Sequence, residues 1–418
     1  MKIEEIYSLY KKQFLVDTDT RNIRKNTLFF ALKGDNFNGN EYAEKALELG
    51  AKYTIIDESK YKKSDHFILV DDVLTTLQKL ANYHRKQLSI PIIGLTGSNG
   101  KTTTKELINS VLSEKFKTTA TKGNLNNHIG VPLTLLSITL DTEIAIIEMG
   151  ANHQKEIEFL SSICEPDFGY ITNFGKAHLE GFGGIEGVIK GKSELYTYIQ
   201  KNNKTVFVNP QDALQVDKTK DCTTVFFDTS IKYLEVNPFV KLSYKNTEIQ
   251  SNLIGKYNYD NIAAAITIGT HFKIKLDKVK NAIESYLPTN NRSQIIKKVG
   301  NTIVLDAYNA NPTSMKAALE NFSLLKENNK TVILGDMFEL GESSKIEHQG
   351  IVNLVHQLKI DTTFLVGELF YQTETSYKKF KSYIDLENHI KRTPLKHQFI
   401  LIKGSRGMKL ERILSFIN

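Results

Sequence analysis

Cysteine is nearly missing from this 418-residue chain: Cys164 and Cys222 are the only two, and they form no spaced motif. Such usage points to a reducing compartment. Long apolar runs are missing as well. No stretch approaches the ~18 residues of a membrane-spanning helix. The opening Met1-Lys2-Ile3-Glu4-Glu5 carries no apolar signal core, so nothing indicates export. Nor are there concentrated basic runs. Lys and Arg number 54 against 47 Asp and Glu, and the net charge of +7 is spread along the chain. That distribution excludes the footprint of a nucleic-acid binder and suits an anionic nucleotide substrate. Repeats and low-complexity segments are absent too. A cytoplasmic, globular protein without a membrane span is expected.

Forty per cent hydrophobic residues give enough apolar material for several cores. The length suggests roughly three domains at ~150 residues each. The most informative stretch is Gly94-Leu95-Thr96-Gly97-Ser98-Asn99-Gly100-Lys101-Thr102-Thr103. It follows the apolar pair Ile92-Ile93 and opens a helical pattern in Leu107, Ile108, Val111 and Leu112. A glycine-rich turn between strand and helix lets backbone N–H groups converge on phosphate oxygens, and the helix N-terminus adds positive potential. Lys101 would reach the β- and γ-phosphates, and the Thr102 hydroxyl would ligate Mg²⁺. The chain is expected to bind ATP.

The predicted fold class is α/β in three domains. Residues 1–88 hold short strands at Thr27–Leu32 and Tyr53–Ile56 around a helix from Glu41 to Leu49. Residues 89–288 alternate apolar strands (Glu143–Ile147, Tyr170-Ile171, Thr205–Val208) with helices, the pattern of a doubly wound, mainly parallel sheet. Turn-formers at Leu287-Pro288-Thr289-Asn290-Asn291 mark a linker. Residues 289–418 restart with strands at Thr302–Leu305, Thr331–Leu334, Phe364–Val366 and Phe399–Ile402, a smaller Rossmann-like unit.

Several strand ends carry chemistry. Glu148 follows Ile144–Ile147, where a Mg²⁺ ligand is expected beside a P-loop. His178 ends the run Thr172-Asn173-Phe174-Gly175-Lys176-Ala177-His178, and Lys192 stands in Gly191-Lys192-Ser193-Glu194. Taken alone, a histidine there is more often structural and a lysine more often surface charge. The loop Lys122–Pro132, with Asn126 and Asn127, reads equally as a tight turn or as amides gripping a sugar or peptide. In the last block, Asp306-Ala307-Tyr308-Asn309-Ala310-Asn311-Pro312, Leu334-Gly335-Asp336-Met337 and Lys403-Gly404-Ser405-Arg406-Gly407-Met408 each follow a strand. Together they suggest a substrate-facing rim.

On these residues the chain resembles the Mur ligases over nearly its whole length. Thr96-Gly97-Ser98-Asn99-Gly100-Lys101-Thr102 matches the family P-loop, in which Leu95 stands where the general motif has its first glycine. Glu148-Met149-Gly150, Asn173 to His178 and Lys192-Ser193-Glu194 follow in the family order. The last block, with Glu339-Leu340-Gly341 and His348, is similar to the branch that adds D-alanyl-D-alanine. Relatives adding the third peptide residue, and the folylpolyglutamate synthases, differ there. A GTPase switch would show an Asn-Lys-x-Asp run, which this chain lacks.

The resemblance implies a monomeric ligase with UDP-MurNAc-tripeptide and D-Ala-D-Ala as substrates, using ATP and two Mg²⁺ ions. It implies that residues 1–88 bind the UDP moiety, 89–288 bind ATP, and 289–418 bind the dipeptide. ATP would be held by Gly97, Ser98, Asn99, Gly100, Lys101, Thr102 and Thr103, with Asn258 and Asn261 at adenine and Arg292 and Asp306 reaching phosphates and ribose. Metal ligands would be Thr102, Glu148, His178 and Lys192, the last as a carbamate. Lys101, Lys192, His178 and Glu148 are the implied catalytic set. Thr20 and Arg21 would meet the UDP moiety, Asn126 and Asn127 the substrate, and Asn309 and Asn311 the dipeptide. Two departures stand out. Tyr257 replaces the usual His before Asn258, and Asn38-Gly39-Asn40 replaces Asp-Gly-His.

Overall fold

Ile92–Thr96 is buried at all five positions, as a parallel strand covered on both faces must be. The computed structural model describes residues 1–288, 291–360 and 362–417. In it this strand lies near the middle of a six-stranded, wholly parallel sheet. The order is Thr223–Phe226, Thr205–Val208, Phe168–Ile171, Ile92–Thr96, Ile144–Glu148, Thr118–Ala120. The chain departs to opposite sides of Ile92–Thr96, so the P-loop sits at a topological switch point, where α/β sheets bind ligands. Helices Lys101–Ser113 and Asn258–His271 pack together over one face, and Glu156–Cys164 and Ile185–Lys201 over the other.

The N-terminal sheet is parallel: Val16–Asp17, Leu28–Phe30, Tyr53–Ile56, Phe67–Leu69. The C-terminal sheet runs Gln294–Lys298, Asn301–Asp306, Phe399–Lys403, Lys330–Gly335, Thr362–Val366, Lys378–Phe380. Only its first pair is antiparallel. All four strands expected there are present, with Gln294–Lys298 and Lys378–Phe380 added at the edges. Of the expected linker, Thr289 and Asn290 lie outside the described residues.

Two sheets were not expected from the sequence: a two-stranded antiparallel pair, Lys33–Gly34 with Phe37–Asn38, and a larger one of three strands. Lys232–Val236, Phe239–Tyr244 and Thr247–Ile254 form an antiparallel meander beside the central sheet. Its second turn, Lys245-Asn246, has φ of 48° and 62° at the two residues. Such left-handed pairs match the twist of tight hairpins. The burial of Val240, Leu242 and Tyr244 on alternate positions was the available signal.

Helix Val73–Gln87 ties the first domain to the second. His84 Nε2 meets the Ile138 carbonyl at 2.9 Å. The Arg85 guanidinium donates to the Cys164 and Glu165 carbonyls (3.1 and 2.9 Å) and to Asp167 (2.8 Å). No described helix is long and apolar enough to cross a membrane.

Candidate active site

The C-terminal strand ends of the central and C-terminal sheets line one cleft of about 890 Å³. Its P-loop wall requires glycine. Gly97 has φ of 141°, and a Cβ there would meet Thr172 Oγ1 at 1.9 Å. Asn99 is anchored by its carbonyl, which accepts from Thr172 Oγ1 (2.6 Å) and Asn173 Nδ2 (3.0 Å). Lys101 Nζ donates to the Gly97 and Ser98 carbonyls of its own loop, at 2.7 and 3.3 Å. Burial lowers its pKa, and the Glu148 charge works against that. Ser98 Oγ is buried and, among the described residues, has no partner.

Glu148 is 1% exposed. Its carboxylate accepts from the Thr102 hydroxyl at 2.9 Å and from Asn126 Nδ2 at 2.8 Å. No ion pair reaches it among the described residues. A buried carboxylate beside a hydroxyl, served only by neutral donors, offers the hard oxygen set that suits Mg²⁺. Lys192 is wholly buried. Its Nζ donates to the Ala151 carbonyl at 3.0 Å and lies 4.9 Å from the Phe182 ring centroid. Burial, helped by the Lys101 charge, pushes its ammonium well below the usual lysine range. His178 lines the cleft, and its Nδ1 is hydrogen-bonded to Glu339 of the C-terminal domain.

Ser98, Asn99, Gly100, Lys101, Thr102, Thr103, Asn126, Asn127, Glu148, His178, Asn258, Asn261, Arg292, Asp306 and Asn309 all line this cleft. Lys192 lies behind it, against Ala151 of the lining. Asn258 and Asn261 are buried and linked to each other (2.7 Å), and Asn261 accepts from Thr104 Oγ1 at 2.9 Å. They brace the start of the P-loop helix. Asn127 Oδ1 accepts from Gly130 N–H at 2.9 Å, just where helix Gly130–Leu135 begins. The loop is thus a tight turn that also presents an amide to Glu148.

From the far side, the Arg292 guanidinium stacks 3.8 Å over the Tyr308 ring, and its buried Nε has no partner among the described residues. Asp306 pairs with Lys403 at 2.5 Å. Tyr257, in the position of the expected His, shares a hydrogen bond with Ser293 at 2.8 Å. Asn311 does not line the cleft. It caps helix Pro312–Leu324 and donates from Nδ2 to Asn99 Oδ1 at 2.7 Å, joining the third domain to the P-loop.

Two further expected residues stand apart. Thr20 and Arg21 form a short turn of the N-terminal domain away from this cleft, with Arg21 bound to Asp19. That pairing lowers Asp19 to about 2. Asp336 and His348, part of the third-block motif, work inside their own domain. Asp336 accepts from Leu369 and Phe370 N–H groups (3.0 and 2.9 Å), and His348 Nε2 accepts from Met337 N–H (3.0 Å). Tyr308 and Lys403, which stand in the strand-end runs expected to form a substrate-facing rim but were given no role of their own, also line the cleft.

A P-loop, a buried metal-type carboxylate and an opposed third domain define a nucleotide-dependent ligase architecture. Models of the Mur ligase family catalytic domain, middle domain and glutamate ligase domain match residues 15–90, 95–269 and 291–406, and the chain belongs to the Mur ligase family. Among its relatives is the UDP-N-acetylmuramoyl-tripeptide–D-alanyl-D-alanine ligase of Bacillus subtilis. It is 36% identical, over 96% of this chain and 92% of that one. Among solved structures, MurF from Acinetobacter baumannii has a TM-score of 0.85 at 30% identity, covering 96% of this chain and 92% of that one. MurF from Thermotoga maritima in complex with ADP gives 0.85 at 26% identity, covering 96% of each. The three-domain α/β fold is theirs.

Proposed function

We propose that this protein joins D-alanyl-D-alanine to UDP-MurNAc-tripeptide at the expense of ATP, forming the pentapeptide precursor of peptidoglycan. The observation that carries the reading is the cleft in which the P-loop and Glu148 face Arg292, Asp306 and Lys403 of the third domain. The full-length likeness to ligases of that name supports it.

A carboxylate is a poor acyl donor. Passing the γ-phosphoryl group of ATP to the tripeptide carboxylate gives an acyl phosphate, whose phosphate leaves readily. The dipeptide amine attacks the acyl carbon, the tetrahedral intermediate expels phosphate, and the amine proton passes to solvent. Alignment and charge neutralisation are the protein's main tasks. Lys101 turns from its own loop carbonyls to the β- and γ-phosphates, beside the N–H groups of Gly97 to Thr103. Asn258 and Asn261 flank adenine, and Arg292 and Asp306 reach phosphates and ribose. Asn126 and Asn127 face the peptide substrate, Asn309 faces the dipeptide while Asn311 holds that domain to the P-loop, and Thr20 and Arg21 face the UDP end.

Thr102, Glu148, His178 and carbamylated Lys192 would hold two Mg²⁺ ions. Bound there, Mg²⁺ supplies charge neutralisation for the phosphate and acyl oxygens. Only an uncharged amine adds CO₂, and burial favours that form of Lys192. The three domains divide as 1–88, 89–288 and 289–418 for UDP substrate, ATP and dipeptide. The protein works as a cytoplasmic monomer.

The test is phosphate release by the purified protein with ATP and UDP-MurNAc-tripeptide. D-Ala-D-Ala should stimulate it and yield pentapeptide, whereas a free amino acid or glutamate should not. Hydrolysis indifferent to every acceptor amine would overturn the reading.

A further inference from the structure

His178 and Glu339 belong to different domains, yet the imidazole Nδ1 and the Glu339 carboxylate are hydrogen-bonded. Both residues adopt left-handed backbone, with φ of 54° and 63°. Non-glycine residues hold such conformations mainly where the surroundings impose them, and they cluster at functional sites. Neighbouring contacts supply that imposition. Glu180 N–H donates to the Glu339 carbonyl at 3.2 Å. Lys176 N–H donates to Thr313 Oγ1 at 2.9 Å, and the Lys176 ammonium meets Glu347 at 2.6 Å. Residues 176–180 are therefore gripped along their length by the third domain. Among the described residues, no hydrogen bond reaches His178 Nε2.

We propose that Glu339 is a positioning residue. By accepting a hydrogen bond from Nδ1–H, it fixes the imidazole tautomer whose Nε2 lone pair is free for a cation, so docking of the third domain completes the His178 ligand. The inference rests on the reading above, in which His178 holds Mg²⁺. A carboxylate behind a ligating histidine sets its orientation and raises its basicity, and losing such a partner typically weakens metal binding by ~10–100-fold. The domain that carries the acceptor would then also determine when the phosphoryl site is ready.

Two measurements test this. In the metal-free, nucleotide-free protein, ¹⁵N-histidine spectra should show His178 protonated at Nδ1. Glu339→Ala should erase that bias, and Glu339→Gln, whose amide oxygen still accepts, should restore it. In turnover assays, Glu339→Ala should raise the Mg²⁺ concentration for half-maximal rate by ~10–100-fold. The fall in kcat at saturating Mg²⁺ should be smaller, and Glu339→Gln should recover most of the shift. The Glu339 side chain is 54% exposed, so its truncation leaves the core intact. His178→Ala separates the two layers. If it leaves the Mg²⁺ requirement unchanged, the cation reading of His178 fails and the inference goes with it. If it raises the requirement while Glu339→Ala moves neither tautomer nor requirement, the positioning role alone is overturned.

Discussion

Lys192 is the residue on which burial acts most directly. Burial holds its folded pKa below the ordinary lysine value, so the unfolded chain binds the extra proton between that lowered value and about 10.4. Stability should rise with pH across that window. In CO₂-free buffer, urea midpoints of the wild type should climb from pH 7 to 10 more steeply than those of Lys192→Met, which keeps the stem and removes the charge. Equal slopes would mean that the amine is not held neutral by the fold. At this scale Lys101, Thr102 and Glu148 were legible because each sits at a fixed offset from a local strand or loop. Asn311 was not, since its partner Asn99 lies 212 residues away. No local spacing encodes such a pairing.

The P-loop shows how an element depends on one atom's absence. Gly97→Ala would place a methyl within 1.9 Å of Thr172 Oγ1 and 2.9 Å of the Thr172 backbone nitrogen. Rotating the threonine relieves only the first clash, and φ of 141° is itself costly for alanine. The variant should lose about 2–3 kcal/mol of stability in denaturant melts and most of its ADP affinity by calorimetry. Unchanged ADP binding would show that the loop tolerates another path. The strands flanking this loop were readable from sequence because both faces are buried and the apolar runs are continuous. The edge strands Thr118–Ala120 and Thr223–Phe226 are only half-buried or exposed, so hydropathy did not mark them. The antiparallel meander was hidden for another reason: a Lys-Asn turn lacks the usual glycine.

Across the whole molecule, the two domain junctions differ in kind. Helix Val73–Gln87 binds the central domain through Arg85, whose side chain is 10% exposed. Arg85→Ala would strand the Cys164 and Glu165 carbonyls and remove a partner of Asp167, at a cost of about 3 kcal/mol. Chemical denaturation should show a lower midpoint, and a midpoint within error of the wild type would refute this account of the junction. The polar contacts of the third domain with the central one cluster at the cleft, through Asn311, Thr313, Glu339 and Glu347. Three-domain architecture was visible in the alternation of strands and helices, whereas the location of the joints depended on tertiary pairing.

The Asn311–Asn99 contact also bears on how such a protein can be inhibited. A small molecule wedged between these two amides would hold the third domain, with Arg292 and Asp306, away from the P-loop. On the proposed reading those residues reach ATP, so the wedge and the nucleotide would weaken each other's binding. Excess ATP would then oppose the inhibitor, and escape would be open both at the seam and through tighter ATP binding.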